Sequence, residues 1–214
     1  MAEWLGSGLQ SRVHQFDSGR RLSDVRGFLI CFAMLATACG GSTPGSDPEP
    51  RPIVTGGRYS LPATSPAVAR GAAIGRLACQ APRRRVGAHL ELFVGGNVVL
   101  LPSGLGIAPP LVGDAALVAS GRCEYPLVTR DPTGVVELDP DVDLTLGDLF
   151  AIWGQPLGRT GFAGFAGSVR AYLDGAEQVG DPARVPVFRH AQIVLEVGRP
   201  LVSPHPRYRF PPGL

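Results

Sequence analysis

Glycine and proline punctuate this sequence along its whole length, with 29 Gly and 21 Pro among 214 residues. Neither residue suits the interior of a helix, because Gly loses more backbone entropy on folding and Pro breaks the hydrogen-bond ladder. Short strands joined by many turns are therefore expected, and a helical bundle is disfavoured. Hydrophobic residues make up 44% of the chain and charged residues 18%, which is enough apolar material for a folded core.

The basic residues are all arginine, and the formal net charge is only +2. Neutralising a phosphate backbone requires a dense basic face, so a nucleic-acid partner is not expected. No apolar run reaches the roughly 18 residues that a membrane-spanning helix needs.

One apolar segment, residues 27–38, follows a cluster of arginines. It is too short to span a bilayer but matches the hydrophobic region of a secretory signal. Residues 36–38 (Ala-Thr-Ala) stand directly before Cys39, and this motif resembles the lipobox of bacterial lipoproteins. The resemblance implies cleavage before Cys39, lipidation of that cysteine and anchoring to a membrane outside the cytosol. A plain cleaved signal and a buried core helix are the alternatives.

The sequence is expected to divide into four parts. Residues 1–38 are predicted to be a leader and signal peptide, and residues 39–71 a lipidated cysteine followed by a Gly/Pro/Ser-rich tether. Residues 72–200 are predicted to form a single domain, and residues 201–214 a disordered Pro-rich tail. The tether has too few apolar residues to offset its ordering entropy. Because the leader is long for an export signal, translation is expected to start near Val25 rather than at Met1.

Four cysteines constrain the exported part of the chain. Cys31 lies in the predicted signal and Cys39 is the predicted lipid site, which leaves Cys79 and Cys123. Two thiols in an oxidising compartment usually pair, so a structural disulfide between them is predicted. A redox-active pair and an unpaired or metal-binding cysteine are the alternatives.

Hydrophobic patterning predicts strands in the central domain. Residues 89–94 alternate between apolar and polar, and Gly95-Gly96 then indicates a hairpin turn into residues 97–101. Similar patterns predict further strands at residues 123–128, 134–138, 169–173 and 192–197.

One helix is predicted after Thr145, which can cap its N-terminus together with Asp148. Apolar residues then recur at helical spacing until Gly154, which is suited to the left-handed residue that ends a helix. The order of elements predicts an α+β fold, with a mostly antiparallel sheet of hairpins packed on one short helix. A β-grasp-like arrangement fits this order.

The glycine-rich stretch 158–167 is interpreted as a mobile connection, because it lacks the lysine and hydroxyl of a phosphate-binding loop.

Several segments between about residues 75 and 200 resemble a family of uncharacterised exported bacterial proteins. The matching segments include residues 101–107 (LPSGLGI), 123–127 (CEYPL) and 145–154 (TLGDLFAIWG). The family pattern is rich in histidine, as in H-x-H-x-H-L and C-x-Y-x-L-H-T-H-D-x-T-G-x-I-H. Most of those histidine positions hold other residues in this chain: Arg85, Gly87, Val128, Arg130 and Glu137.

The resemblance implies a fold, and it implies a degenerate site if the family binds metal. His89 and His190 remain as weak candidates for metal ligands. A lone strand histidine is more often a hydrogen-bonded scaffold residue, so neither histidine is favoured as a ligand and no cofactor is predicted. The run from Arg83 to Arg85 is interpreted as a solvated loop.

No catalytic motif such as G-x-S-x-G or C-x-x-C is found, so an enzymatic role is not favoured. The expected function is that of a membrane-anchored lipoprotein of the cell envelope, with a non-enzymatic domain that binds an unknown envelope protein or small ligand. One alternative is an envelope protein that handles copper or zinc through a degenerate histidine site. A second is an envelope enzyme or thiol oxidoreductase that uses Cys79 and Cys123.

Overall fold

A mixed seven-stranded sheet organises the residues that this computed structural model describes, which are 65–83, 85–114 and 116–214. The elements in chain order are α1 Pro66–Arg70, β1 Val86–Val94, β2 Asn97–Val99, β3 Ile107–Ala108, β4 Val112–Gly113, β5 Val118–Ser120, β6 Cys123–Glu124, β7 Leu127–Val128, β8 Val135–Leu138, β9 Leu144–Thr145, α2 Leu146–Trp153, β10 Leu157–Gly158, β11 Gly161–Phe162, β12 Phe165–Ala166, β13 Val169–Leu173, β14 Ala176–Gln178, β15 Pro186–Val187 and β16 Gln192–Val197, with a 3₁₀ turn at Pro182–Arg184. The predicted α+β class is confirmed.

The sheet is built around its first and last strands. The strand order is β14-β13-β16-β1-β8-β7, and β2 pairs with the end of β1. β1 and β16 lie side by side at the centre and run parallel, in register from His89 opposite Gln192 to Val94 opposite Val197. Their outer neighbours, β8 and β13, are antiparallel to them. The antiparallel pair of β1 and β8 precedes α2 in the chain, and the antiparallel pair of β13 and β16 follows it. This is the β-grasp-like order that the sequence suggested.

One face of this sheet forms the core against α2. Strand side chains alternate between the two faces, so every second residue of β1 and β16 points toward the helix. The buried residues on this face include Val86, Ala88, Leu90 and Leu92 from β1, Ile193, Leu195 and Val197 from β16, and Leu146, Leu149, Phe150, Ile152 and Trp153 from α2. Full burial of one such aliphatic side chain contributes about 1.5–3 kcal/mol, so this face holds the domain together.

The predicted ends of α2 are confirmed. The Thr145 hydroxyl accepts a hydrogen bond from the backbone N–H of Asp148, and the Asp148 carboxylate accepts one from the backbone N–H of Thr145. Gly154 ends the helix in the left-handed conformation, with φ of 76°. Both ends of the helix are therefore set by local sequence.

The predicted disulfide is also confirmed. Cys79 and Cys123 are bridged, and they lie 44 residues apart in sequence. The bridge attaches the segment that follows α1 to β6, which pairs with β3 and precedes β7 of the main sheet in the chain.

Both predicted limits of the domain are wrong. Residues 65–71 were expected to belong to the tether, but Ser65 caps α1 and Val68 of this helix is completely buried. The Tyr125 hydroxyl holds the same segment by donating to the main-chain oxygen of Ala67 or Ala72. Residues 201–214 were expected to be disordered, but they lie against the main sheet through the contacts described below. In both cases a few side chains with specific partners order a stretch of low hydrophobicity.

The glycine-rich stretch is not a mobile connection. β10, β11 and β12 form a small antiparallel sheet within it. Phe162 of β11 is completely buried and packs edge-on against Phe150 of α2. The glycines permit tight turns, while the phenylalanine anchors the stretch to the core.

We expect the double variant Cys79→Ala/Cys123→Ala to lose about 4 kcal/mol of unfolding free energy, because the bridge restricts the unfolded chain over its 44-residue separation. Urea denaturation of both proteins measures this difference. A reducing agent should destabilise the wild type and leave the double variant unchanged. Equal stability of the two proteins under oxidising conditions would contradict the prediction.

Candidate functional site: the outer face of the sheet

The face of the sheet opposite α2 carries polar side chains on its two central strands. We call this surface the outer face; it consists of Gly87, His89, Glu91 and Phe93 of β1 together with Gln192, Val194 and Glu196 of β16. His89 is only 4% exposed, and Gln192 and Glu196 are each 1% exposed. Buried polar groups are uncommon in proteins and need partners, so the outer face is the first place to look for function.

A chain of hydrogen bonds crosses the outer face. The side-chain amide of Gln192 donates from Nε2 to Glu91 Oε2 at 3.1 Å. Its Oε1 therefore faces His89 Nδ1, at 2.8 Å, while His89 Nε2 lies 3.0 Å from the main-chain oxygen of Thr133. Both nitrogens of His89 thus face acceptors. An imidazolium donates to both of them, whereas a neutral ring donates to only one.

Opposing influences act on the His89 imidazole. Burial lowers the pKa of His89 below its usual value of 6.5, and this is the largest effect. The hydrogen bonds to Gln192 and Thr133 and the charge of Glu91 act in the opposite direction, while a charge on His205 acts with burial. The ring is therefore neutral at pH 7, and one of its two contacts then lacks a proton.

Residues 201–214, which we call the tail, lie along the outer face antiparallel to β1. The Tyr208 ring stacks on the His89 ring with centroids 3.7 Å apart. His205 Nδ1 lies 3.0 Å from Glu91 Oε2, and the Phe210 ring stacks on His190 with centroids 4.8 Å apart. The tail is held by side chains and is not assigned as a strand of the sheet.

Two positions on β1 and β16 fit the ends of the tail. At Gly87, an added Cβ would lie 2.8 Å from Phe210 Cδ1, so only glycine leaves room for this ring. At the other end, Glu196 Oε1 accepts a hydrogen bond from the backbone N–H of Val202 at 2.7 Å. Burial raises the pKa of Glu196, while the hydrogen bond from Val202 and the charge of Arg170 oppose that rise.

A cluster of four charged residues lies beside the outer face. Glu124, whose side chain is 1% exposed, accepts hydrogen bonds from Arg85 at 3.0 Å and Arg130 at 3.2 Å. Arg130 also contacts both carboxylate oxygens of Glu137 at 3.0 Å. The side chain of Arg85 is only 9% exposed, so interpreting this end of the arginine run as a solvated loop was wrong.

Three of these charged residues, Arg85, Arg130 and Glu137, stand at positions where the resemblance noted in the sequence would place histidine. Gly87, Glu137 and Val128 form one row across β1, β8 and β7, and Arg85 and Arg130 flank that row. Two guanidinium groups and two carboxylates neutralise each other there. The cluster is a set of ion pairs and offers no free oxygen or nitrogen ligands to a metal ion.

A cleft of about 300 Å³ opens next to His89 and Glu91. On this side of β1, residues 86–89 pair with β8 and residues 92–94 pair with β2. The cleft lies at the point where one neighbouring strand gives way to the other. Its walls are β2 with the residues that follow it and the turn at residues 132–134. The apolar side chain of Leu100 lines this cleft and is 38% exposed.

The structure places the two candidate histidines in separate sets of contacts. Both nitrogens of His89 lie within 3.0 Å of acceptor oxygens, and the neutral ring donates to one of them, as expected of a scaffold residue. His190 stacks on Phe210, and its Nε2 lies 2.9 Å from the main-chain oxygen of Leu214. Among the residues that the structure describes, no group of three or more His, Cys, Asp or Glu side chains is arranged to hold a metal ion. Cys39 lies outside the described residues.

Several residues on the outer face were not predicted from the sequence. Alternation along β1 predicts that Glu91 shares a face with His89, but the roles of Gln192, His205 and Tyr208 depend on the parallel pairing of β1 with β16 and on the position of the tail. The Arg-Tyr-Arg-Phe stretch at residues 207–210 was the available signal, because alternating aromatic and basic residues are unusual in a disordered tail.

No protein-family model, curated protein or solved structure matches this chain. Within the described part of the chain, neither helix has the length and apolar character needed to cross a bilayer. The assignment of function therefore rests on the chemistry of the chain itself.

We expect the unfolding free energy of the wild type to fall as the pH drops from 7 toward 5. His89 has a lowered pKa in the folded state, so the unfolded chain binds more protons just below pH 6.5 and is favoured there. The variant His89→Gln should show a shallower fall in urea denaturation at a series of pH values.

The same experiment contains its own control. Above about pH 7.5 the histidine is neutral in both states, so the two proteins should show parallel slopes there. Parallel slopes over the whole range would contradict the assigned protonation of His89.

Proposed function

We propose that this chain is a membrane-anchored lipoprotein of the cell envelope whose folded domain binds a partner and does not catalyse a reaction. The anchor would be a lipid on Cys39, at the end of the apolar segment 27–38. The polar stretch that follows Cys39 would space the domain away from the membrane surface.

The Cys79–Cys123 bridge is the observation that carries the proposal. Structural disulfides persist in oxidising compartments and are rare in the cytosol, where thiols are kept reduced. A domain that contains such a bridge is suited to the outside of the cytoplasmic membrane. Two independent features, the bridge and the signal-like segment, therefore favour the same location.

The outer face supports binding rather than catalysis. Its acid and base side chains, Glu91 and His89, are engaged with other groups of the protein. Both cysteines of the described residues are bridged, so neither offers a free thiolate nucleophile. A thiol oxidoreductase is disfavoured because the two bridged cysteines lack the C-x-x-C spacing.

No contact among the described residues specifically supports a metal-handling function. Both nitrogens of His89 lie against oxygen atoms of the protein, and His205 contacts Glu91. A metal ion would have to replace these contacts before it gained a ligand.

Lipidation can be tested in a bacterial host supplied with a labelled fatty acid. We expect the label to enter the wild-type chain and to be absent from Cys39→Ala, which has no thiol to acylate. The wild type should be found in the membrane fraction, because each buried methylene of an acyl chain contributes about 0.8 kcal/mol.

The variant Cys31→Ala is the matched control, since it removes a cysteine from the apolar segment that precedes Cys39 and should keep the label. Equal labelling of Cys39→Ala and wild type, or no labelling of either, would contradict the proposed anchor.

A further inference from the structure

The two faces of the sheet are covered in different ways. The face against α2 is entirely apolar along β1, whereas the covered outer face carries His89, Glu91, Gln192 and Glu196. A sheet face that is permanently buried is normally apolar, because buried polar groups lose their hydration. Beside these polar groups the outer face carries a small apolar cluster of Phe93, Val194 and Tyr172, against which Val202 of the tail packs. This cluster is separate from the core against α2, so the tail can leave the outer face without disrupting that core.

The tail is a shallow cover. Its contact residues Val202, His205, Tyr208 and Phe210 are only half-buried, although the side chains beneath them are largely buried. It makes few main-chain hydrogen bonds to the sheet, one of which joins Val202 to Glu196. The remaining contacts include two stacked ring pairs, the contact of His205 with Glu91, the contact of His190 Nε2 with the main-chain oxygen of Leu214, and the packing of Val202 on the small apolar cluster. Each of these is individually a weak interaction.

The contacts define the kind of segment that fits. His89 takes one aromatic ring, and the space above Gly87 beside His190 takes a second ring two residues later. Glu91 contacts the imidazole of His205, which lies three residues before Tyr208. Glu91 and Glu196 place two carboxyl groups on the outer face, and Glu196 Oε2 has no hydrogen-bond partner among the described residues. An extended segment with basic residues near its aromatic rings matches these features.

The cleft beside His89 is the part of this surface that the tail does not line. Its walls include the apolar side chains of Val98 and Leu100. A segment with the contacts of the tail and one further apolar side chain in this cleft would make more contacts than the tail itself. Such a segment could displace the tail.

We propose that the outer face is a docking surface for an extended aromatic and basic segment of a partner protein, and that the tail occupies this surface until the partner displaces it. The inference rests on the proposed function, in that it names the surface and the partner class of the binding domain. It does not require lipid on Cys39. Failure of lipidation would therefore leave peptide binding intact, and the two proposals can fail separately.

The test uses the full chain and a fluorescently labelled peptide with the sequence of residues 201–214. In the double variant Tyr208→Ala/Phe210→Ala, the chain's own tail loses its two ring contacts and vacates the face. We expect saturable one-to-one binding of the peptide to this variant, about tenfold tighter than to the wild type. The wild type binds more weakly because its tail competes at a high effective concentration.

Matched variants locate the binding. Adding Gly87→Val to the double variant should reduce peptide binding at least tenfold, because the side chain fills the space that Phe210 occupies. Adding Gly158→Ala should have no effect, because no atom lies within 4 Å of a Cβ placed there. A peptide that carries the Tyr208→Ala and Phe210→Ala changes should bind at least tenfold more weakly than the unchanged peptide.

Amide hydrogen exchange of the wild type provides a second measurement that does not depend on the variants. The Val202 amide, which is bonded to Glu196, should exchange at least a hundredfold faster than the Leu92 amide at the centre of the sheet. Equal exchange of the two amides would show that the tail opens only with global unfolding, and this result would overturn the proposal.

Two results in the binding assay would also overturn it. One is absence of peptide binding to a double variant that keeps the wild-type circular dichroism spectrum. The other is a concentration-dependent dimer of the wild type that Tyr208→Ala abolishes, because the tail of a second copy would then be the occupant.

Discussion

The parallel pairing of β1 with β16 is the interaction on which the rest of this structure depends. It joins strands about 100 residues apart, from His89 opposite Gln192 to Val94 opposite Val197. Because side chains of paired residues lie on the same face, this register brings the apolar residues of both strands together against α2. It also places His89 beside Gln192 and Phe93 beside Glu196. A shift of one residue would move the polar side chains into the core.

The pairing explains which parts of the structure the sequence could predict. The capping of α2 by Thr145 and Asp148 and the turn at Gly95-Gly96 depend on residues within a few positions of each other, so their chemistry is legible in the sequence. The bridge between Cys79 and Cys123 followed from the small number of cysteines left after the apolar segment. The parallel central pair could not be derived in this way, because periodicity identifies a strand but not its partner.

The tail and the glycine-rich stretch show a second limit of sequence reasoning. Both have compositions typical of disorder, and both are ordered by a few rings that meet specific partners. Phe162 meets Phe150 in the core, and Tyr208 meets His89 on the outer face. The average composition of a segment does not predict that a single aromatic residue will order it. The candidate site was therefore only partly predicted, since His89 was recognised but its neighbours Gln192 and Tyr208 were not.

The central position of β16 also determines when this domain can fold. The middle of the sheet stays incomplete until residue 197 is free to pair with residue 94, whatever the earlier segments have done. Most contacts that define the sheet join distant parts of the chain, which makes closure slow compared with local helix formation. If the chain passes through a narrow pore, its central strand pair cannot form until nearly all of the domain has emerged. The β1–β16 pair serves as the closing step of the fold.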